Sequence, residues 1–341
     1  MSQTLAVKYR PKTFEDVCGQ SITVKILEKA VEQKNFKHAY LFAGDSGCGK
    51  TTLARCFANA INQGSGEPIE LDAASQRDIE TIRAITDSAN QRSLDSEYKV
   101  YIIDECQSYT IVQWQAFLRS IEEAPEYTIY MFCTTEPQKL PTTILNRLQR
   151  YNITKIDTAT VKNRLKYICQ QEGFTNYEQT CDLISKISNG CMRDAIMRLD
   201  QCANFSTDLN IENAKQVLTD ISYEAMFKLT WALQDKKEED MLNVIDKLYS
   251  SGNDLKNFIN NYLEFVLDLS KYILFKNIEL TNIPGYFATT ENPVVQQTVQ
   301  IADSLNWFKK LADLLLTIKL DIKYDTYYKS TIEAYLLRAC R

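Results

Sequence analysis

Residues 44–51 read Gly44-Asp45-Ser46-Gly47-Cys48-Gly49-Lys50-Thr51, a match to G-x-x-x-x-G-K-[ST]. The apolar run His38-Ala39-Tyr40-Leu41-Phe42 precedes it, and the helical spacing Leu53, Phe57, Ile61 follows. The loop therefore joins a buried strand to a helix N-terminus, the context in which this motif binds phosphate. Glycines let backbone N–H groups wrap the phosphates, Lys50 reaches the β and γ phosphates, and the Thr51 hydroxyl ligates magnesium. Gly44, Asp45, Ser46, Gly47, Cys48, Gly49, Lys50, Thr51 and Thr52 form the candidate nucleotide-binding stretch.

Outward from the loop, the runs Ile69-Glu70-Leu71, Val100-Tyr101-Ile102-Ile103, Ile129-Tyr130-Met131-Phe132 and Tyr151-Asn152-Ile153 alternate with helical patterns. Such runs suit strands buried on both faces, so the spacing predicts an α/β module, a parallel sheet with flanking helices, over residues 1–153. Val100–Ile103 leads into Asp104-Glu105. A carboxylate at the end of a buried strand beside a phosphate loop can hold the magnesium shell, and a second can polarise water for attack on the γ-phosphate. Asp104 is the candidate metal residue and Glu105 the candidate base; without the loop, a solvated acidic pair would be the better reading. No Asn-Lys-x-Asp guanine signature follows, since Thr154-Lys155-Ile156-Asp157 lacks the Asn, and ATP is favoured over GTP.

After Thr158 the strand signals stop. Val161, Leu165, Ile168, Leu183, Ile184, Ile187, Ile196 and Leu199 predict a small helical domain over 154–213, with Asn210 to Lys215 as a connector. From Tyr223, positions such as Phe258, Tyr262, Phe265, Leu269 and Ile273 recur at helical spacing, predicting an all-α domain over 214–341 with a long loop near Asn277–Asn292. Ten Gly and seven Pro among 341 residues make about 5 %, against roughly 12 % in average usage, which disfavours turn-dense all-β folds. A single histidine, His38, excludes sites needing two imidazoles. Ten cysteines without a C-x-x-C pair do not form a zinc or redox framework. With no signal peptide or apolar run of about 18 residues, the chain is expected to be cytoplasmic and free of membrane. The net charge is −5 and none of the three stretches is basic, so any DNA affinity must come from a local cationic track.

Lys8-Tyr9-Arg10-Pro11-Lys12-Thr13-Phe14, Gly19-Gln20, the strand into the phosphate loop, Leu71-Asp72-Ala73-Ala74-Ser75, Thr134 to Pro141 and Met192-Arg193-Asp194-Ala195 occur in order. Over Lys8 to Gln201 this closely resembles the bacterial replicative clamp-loader gamma/tau subunits, with part of the pattern shared by replication factor C small subunits. The resemblance implies an AAA+ ATPase module, a helical lid and a C-terminal collar through which subunits form a pentameric ring. It also implies partners: companion subunits, a sliding clamp and primer-template DNA held without sequence specificity. ATP binding would open the clamp, and hydrolysis would release it closed on DNA. Rival readings are a branch-migration-type AAA+ motor and a largely structural ring subunit.

By position the resemblance implies further roles. Tyr9 and Arg10 close over the adenine. Thr134 takes the first sensor position at a strand end, and Arg193 is the lid sensor arginine. Arg147, in Leu140-Pro141-Thr142-Thr143-Ile144-Leu145-Asn146-Arg147-Leu148, takes the place of the family's trans arginine finger, although Asn146 and Leu148 replace the family's Ser and Cys. A structural salt bridge is its alternative. Arg77 and Arg83 lie on the segment resembling the DNA-facing helix, where a solvated face is the alternative. Gln107-Ser108-Tyr109 and Trp114 lie on the segment expected to face the clamp, though Trp114 equally suits the core. The family's four-cysteine zinc module is replaced by Asn62-Gln63-Gly64-Ser65-Gly66-Glu67-Pro68, so the cofactors expected are ATP and Mg2+ without zinc. The trimmed module, and an end where the collar is expected to stop, suit a phage-encoded or similarly streamlined loader in a bacterial cytoplasm.

Overall fold

The computed structural model describes residues 3–75, 78–218, 223–290, 292–301 and 303–340. They form two compact units, Met1–Gln171 with Ser188–Asp200, and Glu172–Ile187 with Gln201–Arg341.

The first unit is built on strands β1 (Ala39–Ala43), β2 (Ile69–Asp72), β3 (Lys99–Asp104), β4 (Thr128–Thr134) and β5 (Gln149–Asn152). All pairings are parallel, in the order β2-β3-β4-β1-β5. Side chains alternate between two separate cores. Tyr40, Phe42, Val100, Ile102, Ile129 and Met131 pack on one face with Phe57 and Ile61 of the helix Lys50–Ile61. Leu41, Tyr101, Ile103, Tyr130 and Phe132 pack on the other with Ile82 and Phe117 from the helices Ile79–Ala89 and Ile111–Glu122. Both faces are covered, which is why the strand runs carry almost no polar alternation. Each fully buried large apolar side chain contributes roughly 1.5–3 kcal/mol.

The helix Ile111–Glu122 starts at a capping box in which Thr110 and Gln113 satisfy each other's backbone N–H groups. Asp157 precedes the helix Thr158–Glu172 and accepts the Thr160 N–H at 2.8 Å, so the residue that ends the Thr-Lys-Ile-Asp sequence serves as a helix cap.

The second unit is helical among its described residues. Its longest members, Leu255–Phe275 and Ser304–Asp321, pack together, with Phe258, Tyr262, Phe265 and Leu269 buried. Asn210 to Lys215, expected as a connector, instead opens a helix, Ile211–Val217. The Asn210 side chain accepts from the Asn213 N–H, and this capping is the local signal that apolar periodicity overlooks. The loop near Asn277–Asn292 is present but anchored: Ile283 and Phe287 are buried, and the carboxylates of Asp268 and Asp182 accept the backbone N–H groups of Asn282 and Gly285, each at 3.0 Å. Among the described residues no helix is long and apolar enough to cross a membrane.

Candidate functional site

Strand order places the site. β4 lies between β1 and β3, so the C-terminal ends of the strand entering the phosphate loop, the strand ending at Thr134 and the strand ending at Asp104 stand side by side. The Gly44 N–H donates to the Thr134 carbonyl at 3.1 Å, joining loop and strand end directly. Ligands of open α/β sheets bind at such carboxyl-end crevices.

Two glycines in the loop require the left-handed backbone, Gly47 at φ +71° and Gly49 at φ +98°. Gly47 is also crowded: a Cβ there would lie 2.1 Å from Cys191 Sγ and 3.6 Å from Arg193 Cβ. The Cys191 side chain and the Arg193 Cβ therefore lie close to the loop at Gly47. Lys50 is 5 % exposed and its Nζ donates to the Asp45 carbonyl at 2.9 Å, so its charge is held inside the curl of the loop. Asp45 and Ser46 are exposed, while Thr51 and Thr52 sit half-buried in the first helical turn. Cys48 is buried, and that burial pushes its thiol above the ordinary value, away from nucleophilic chemistry.

Thr51 Oγ1 lies 2.6 Å from Asp104 Oδ2, and Asp104 Oδ1 accepts the Glu105 N–H at 3.0 Å. A hydroxyl and a carboxylate oxygen converging in this way form a hard-oxygen pair of the kind Mg2+ prefers. Glu105 takes φ +50°, which turns the chain sharply out of β3 into the short 3₁₀ turn Cys106–Ser108. That turn carries Gln107 back over the strand ends. The Gln107 amide Nε2 donates to Glu105 Oε2 and, at 3.0 Å, to Thr135 Oγ1, while its Oε1 accepts from Thr134 Oγ1 at 2.7 Å. The sequence placed Gln107 on a clamp-facing segment. No spacing rule marks it as part of the site, because its reach depends on the left-handed turn at Glu105.

Arg10 is half-buried. Burial, together with the neighbouring Arg55 and Arg193 guanidiniums, pushes its pKa down, against the pull of Glu70 and Asp104. Arg10 thus feels the charges of both Arg193 and Asp104. Tyr9 packs edge-on against Tyr167 at 6.4 Å, and its carbonyl accepts from the Arg164 guanidinium at 3.0 Å.

The remaining candidates are dispersed. Arg147 is partly exposed and pairs with Glu122, the last residue of the helix Ile111–Glu122, and it also donates to the Thr143 carbonyl. Arg83 is exposed on the helix Ile79–Ala89. Arg77 lies outside the described residues. Tyr109 and Trp114 are buried in the core with Phe117 and Phe132, which decides for Trp114 the alternative of packing. The exposed apolar residues of that segment are Ile111, at 69 %, and Val112, at 59 %.

Sheet order, phosphate loop and paired strand-end carboxylates define the class: a P-loop module of the AAA+ type. Its fold is similar to that of the Thermotoga maritima RuvB Holliday junction branch migration motor, with TM-score 0.53 and 18 % identity over 72 % of this chain and 86 % of that one. The family model of the DNA polymerase III delta subunit matches residues 19–74 and 67–157. The chain is 32 % identical to DNA polymerase III subunit tau of Bacillus subtilis over 99 % of its own length and 63 % of the relative's. It is 26 % identical to DNA polymerase III subunit gamma of Buchnera aphidicola over 99 % and 98 %. Over 99 % of its length the chain is thus similar to DNA polymerase III gamma and tau subunits. It spans 63 %, 51 % and 43 % of the Bacillus subtilis, Mycoplasma genitalium and Mycoplasma pneumoniae relatives.

Proposed function

We propose that this chain is the ATP-hydrolysing subunit of a DNA-replication clamp loader, working in a ring with other loader subunits, a sliding clamp and primer-template DNA. The observation that carries the reading is the convergence of Lys50, the Thr51–Asp104 pair, Glu105 and Thr134 at three adjacent strand ends, with Arg193 set against Gly47. The loop N–H groups and Lys50 bind the phosphates, Lys50 exchanging the Asp45 carbonyl for a phosphate oxygen. Thr51 and Asp104 would hold Mg2+, which when bound neutralises charge on the phosphates. Glu105 orients the attacking water, Thr134 and Arg193 contact the γ-phosphate, and Tyr9 and Arg10 close over the base. Arg147 serves the neighbouring subunit's site in trans.

The chain then folds into an AAA+ domain over 1–153, a lid over 154–213 and a collar over 214–341. Arg83, with Arg77, offers phosphate contacts to DNA, and Ile111 with Val112 offers an apolar contact to the clamp. Contacts to phosphate alone make DNA binding salt-dependent and indifferent to sequence. ATP binding shifts the clamp toward its open form only if the ATP-bound ring prefers that form.

The test is ATP turnover with primer-template DNA and clamp. DNA plus clamp should raise turnover above either alone, and Lys50→Ala should abolish it. Turnover that persists in Lys50→Ala removes the assigned site. Stimulation by DNA with no dependence on the clamp favours a motor like the one whose fold it shares.

A further inference from the structure

In the second unit, the turn between the helices Ser304–Asp321 and Tyr328–Cys340 carries Lys323-Tyr324-Asp325-Thr326-Tyr327. Ile322 is buried beneath it, yet Tyr324 and Tyr327 are 87 % and 79 % exposed. The turn is nevertheless pinned. Asp325 Oδ1 accepts the Tyr327 N–H at 2.8 Å, and its Oδ2 accepts the Thr331 hydroxyl at 2.5 Å. Lys256, at the start of the helix Leu255–Phe275, donates to the Lys323 and Asp325 carbonyls at 3.4 and 3.2 Å. Cations lie over the rings. Lys323 Nζ is 5.2 Å from the Tyr324 ring centre, Lys256 Nζ 5.0 Å from that of Tyr328, and Lys329 Nζ 5.0 Å from that of Tyr249. The nearby carboxylates are engaged: Asp325 in the two bonds above, Asp246 and Glu333 with Lys329, and Asp321 with the Tyr335 hydroxyl. Lys319 and Lys323, one helical turn apart, are exposed.

We propose that this turn is a binding surface for single-stranded DNA, with bases stacking on Tyr324 and Tyr327 and with Lys319 and Lys323 meeting the adjacent phosphates. Exposed aromatic rings interleaved with cations form a platform on which unpaired bases stack whatever their sequence. A duplex keeps its base faces covered and cannot use the rings. A protein partner fits less well, because lysine is depleted from the cores of protein interfaces, and here lysines lie over the rings themselves. A turn pinned in advance also loses less conformational freedom when the strand arrives. The surface belongs to the second unit, whereas Arg83 belongs to the first. The choice of DNA rests on the clamp-loader reading above, but the stacking platform does not. The groups that could read a ribose 2′-hydroxyl, Asp325 and Thr331, are bonded to each other.

The experiment measures, on the full chain without nucleotide, the fluorescence anisotropy of a labelled oligo-dT of about 15 nucleotides, near the upper site size of a stacking surface. A duplex and an oligo-U of the same length are the comparators. Tyr324→Ala and Tyr327→Ala should each weaken oligo-dT binding by roughly 5- to 100-fold, the range of one lost stacked base, while Tyr324→Phe and Tyr327→Phe keep the ring and stay within about twofold of wild type. Duplex binding should not change in any of them. Two phosphate contacts give a slope of log affinity on log salt of about −1.4, and Lys323→Gln should bring it to about −0.7. No binding by wild type, wild-type binding by both alanine variants, or a loss in the phenylalanine variants equal to that in alanine would each overturn the proposal. So would an equal loss on the duplex, or an unchanged salt slope in Lys323→Gln. Tighter binding of oligo-U than of oligo-dT would overturn the assignment to DNA. If the alanine variants instead alter the sedimentation of the protein, the turn, with Leu320 beside it at 73 % exposure, is a contact between copies and the proposal falls. Turnover of ATP without DNA should be unchanged in the tyrosine variants, so failure of the ATPase reading is seen in turnover and failure of this surface in strand binding.

Discussion

At the scale of the residue, the contacts of Arg147 bear on its proposed role in trans. In the single chain its guanidinium is tied to Glu122 and to the Thr143 carbonyl. The pair is more than a third exposed on both sides, and such pairs contribute about 0–1 kcal/mol, so little opposes exchanging Glu122 for a phosphate on a neighbouring subunit. Arg147→Ala should therefore leave the thermal midpoint within about 2 °C of wild type and ATP binding nearly intact. It should cut turnover in the assembled ring by roughly 10³-fold or more, the scale of fingers elsewhere. Equal turnover in variant and wild type would sink the trans role, and a large fall in the midpoint would instead make Glu122–Arg147 a structural bridge.

At the scale of the element, caps explain boundaries that apolar spacing leaves loose. Val161, Leu165 and Ile168 made the helix Thr158–Glu172 legible, and the structure adds that Asp157 begins it. Hydrogen bonds from the Thr160 side chain and backbone hold the Asp157 carboxyl below the ordinary aspartate range. Its folded pKa is therefore below its unfolded one, so the stabilisation is present above the unfolded value of about 3.9 and is lost as pH falls through the depressed value. Asp157→Ala should destabilise the protein by about 1 kcal/mol at pH 7. Asp157→Asn keeps an acceptor oxygen without the charge, and its deficit in urea unfolding should shrink toward zero on acidification. A deficit constant from pH 7 to about pH 3 would show that the charge contributes nothing. The helix Ile211–Val217 teaches the same lesson. Asn210 looked like linker composition, yet Asn is a favoured N-cap, and only its bond to Asn213 distinguishes the two uses.

At the scale of the whole molecule, the first unit's two cores pack on opposite faces of the sheet that carries the site, and Lys50 is bonded to its own loop. A ligand that binds only the folded state adds RT ln(1 + [L]/Kd), about 2.7 kcal/mol at a hundredfold excess over Kd. MgATP at that excess should raise the calorimetric transition of the unit containing the phosphate loop, and Lys50→Ala should erase the rise. An equal rise in Lys50→Ala would place ATP elsewhere. The charge of −5 belongs at this scale too: with no net positive charge, any affinity for DNA would have to come from a local cationic track rather than from bulk charge.

The sequence by itself determined the phosphate loop, the Asp104-Glu105 pair, all five strands and the helical texture after Thr158. Each of these rests on local chemistry: glycines that permit positive φ, a lysine and hydroxyl at fixed spacing, and apolar runs whose period reports burial. Tertiary structure alone decided that Gln107 joins Glu105 to Thr134, that Trp114 is core, and that Arg147 rests on Glu122. Those contacts join residues distant in the chain, or turn on a single left-handed residue. They follow from the order β2-β3-β4-β1-β5 and the turn at Glu105, neither of which leaves a periodic trace in the sequence.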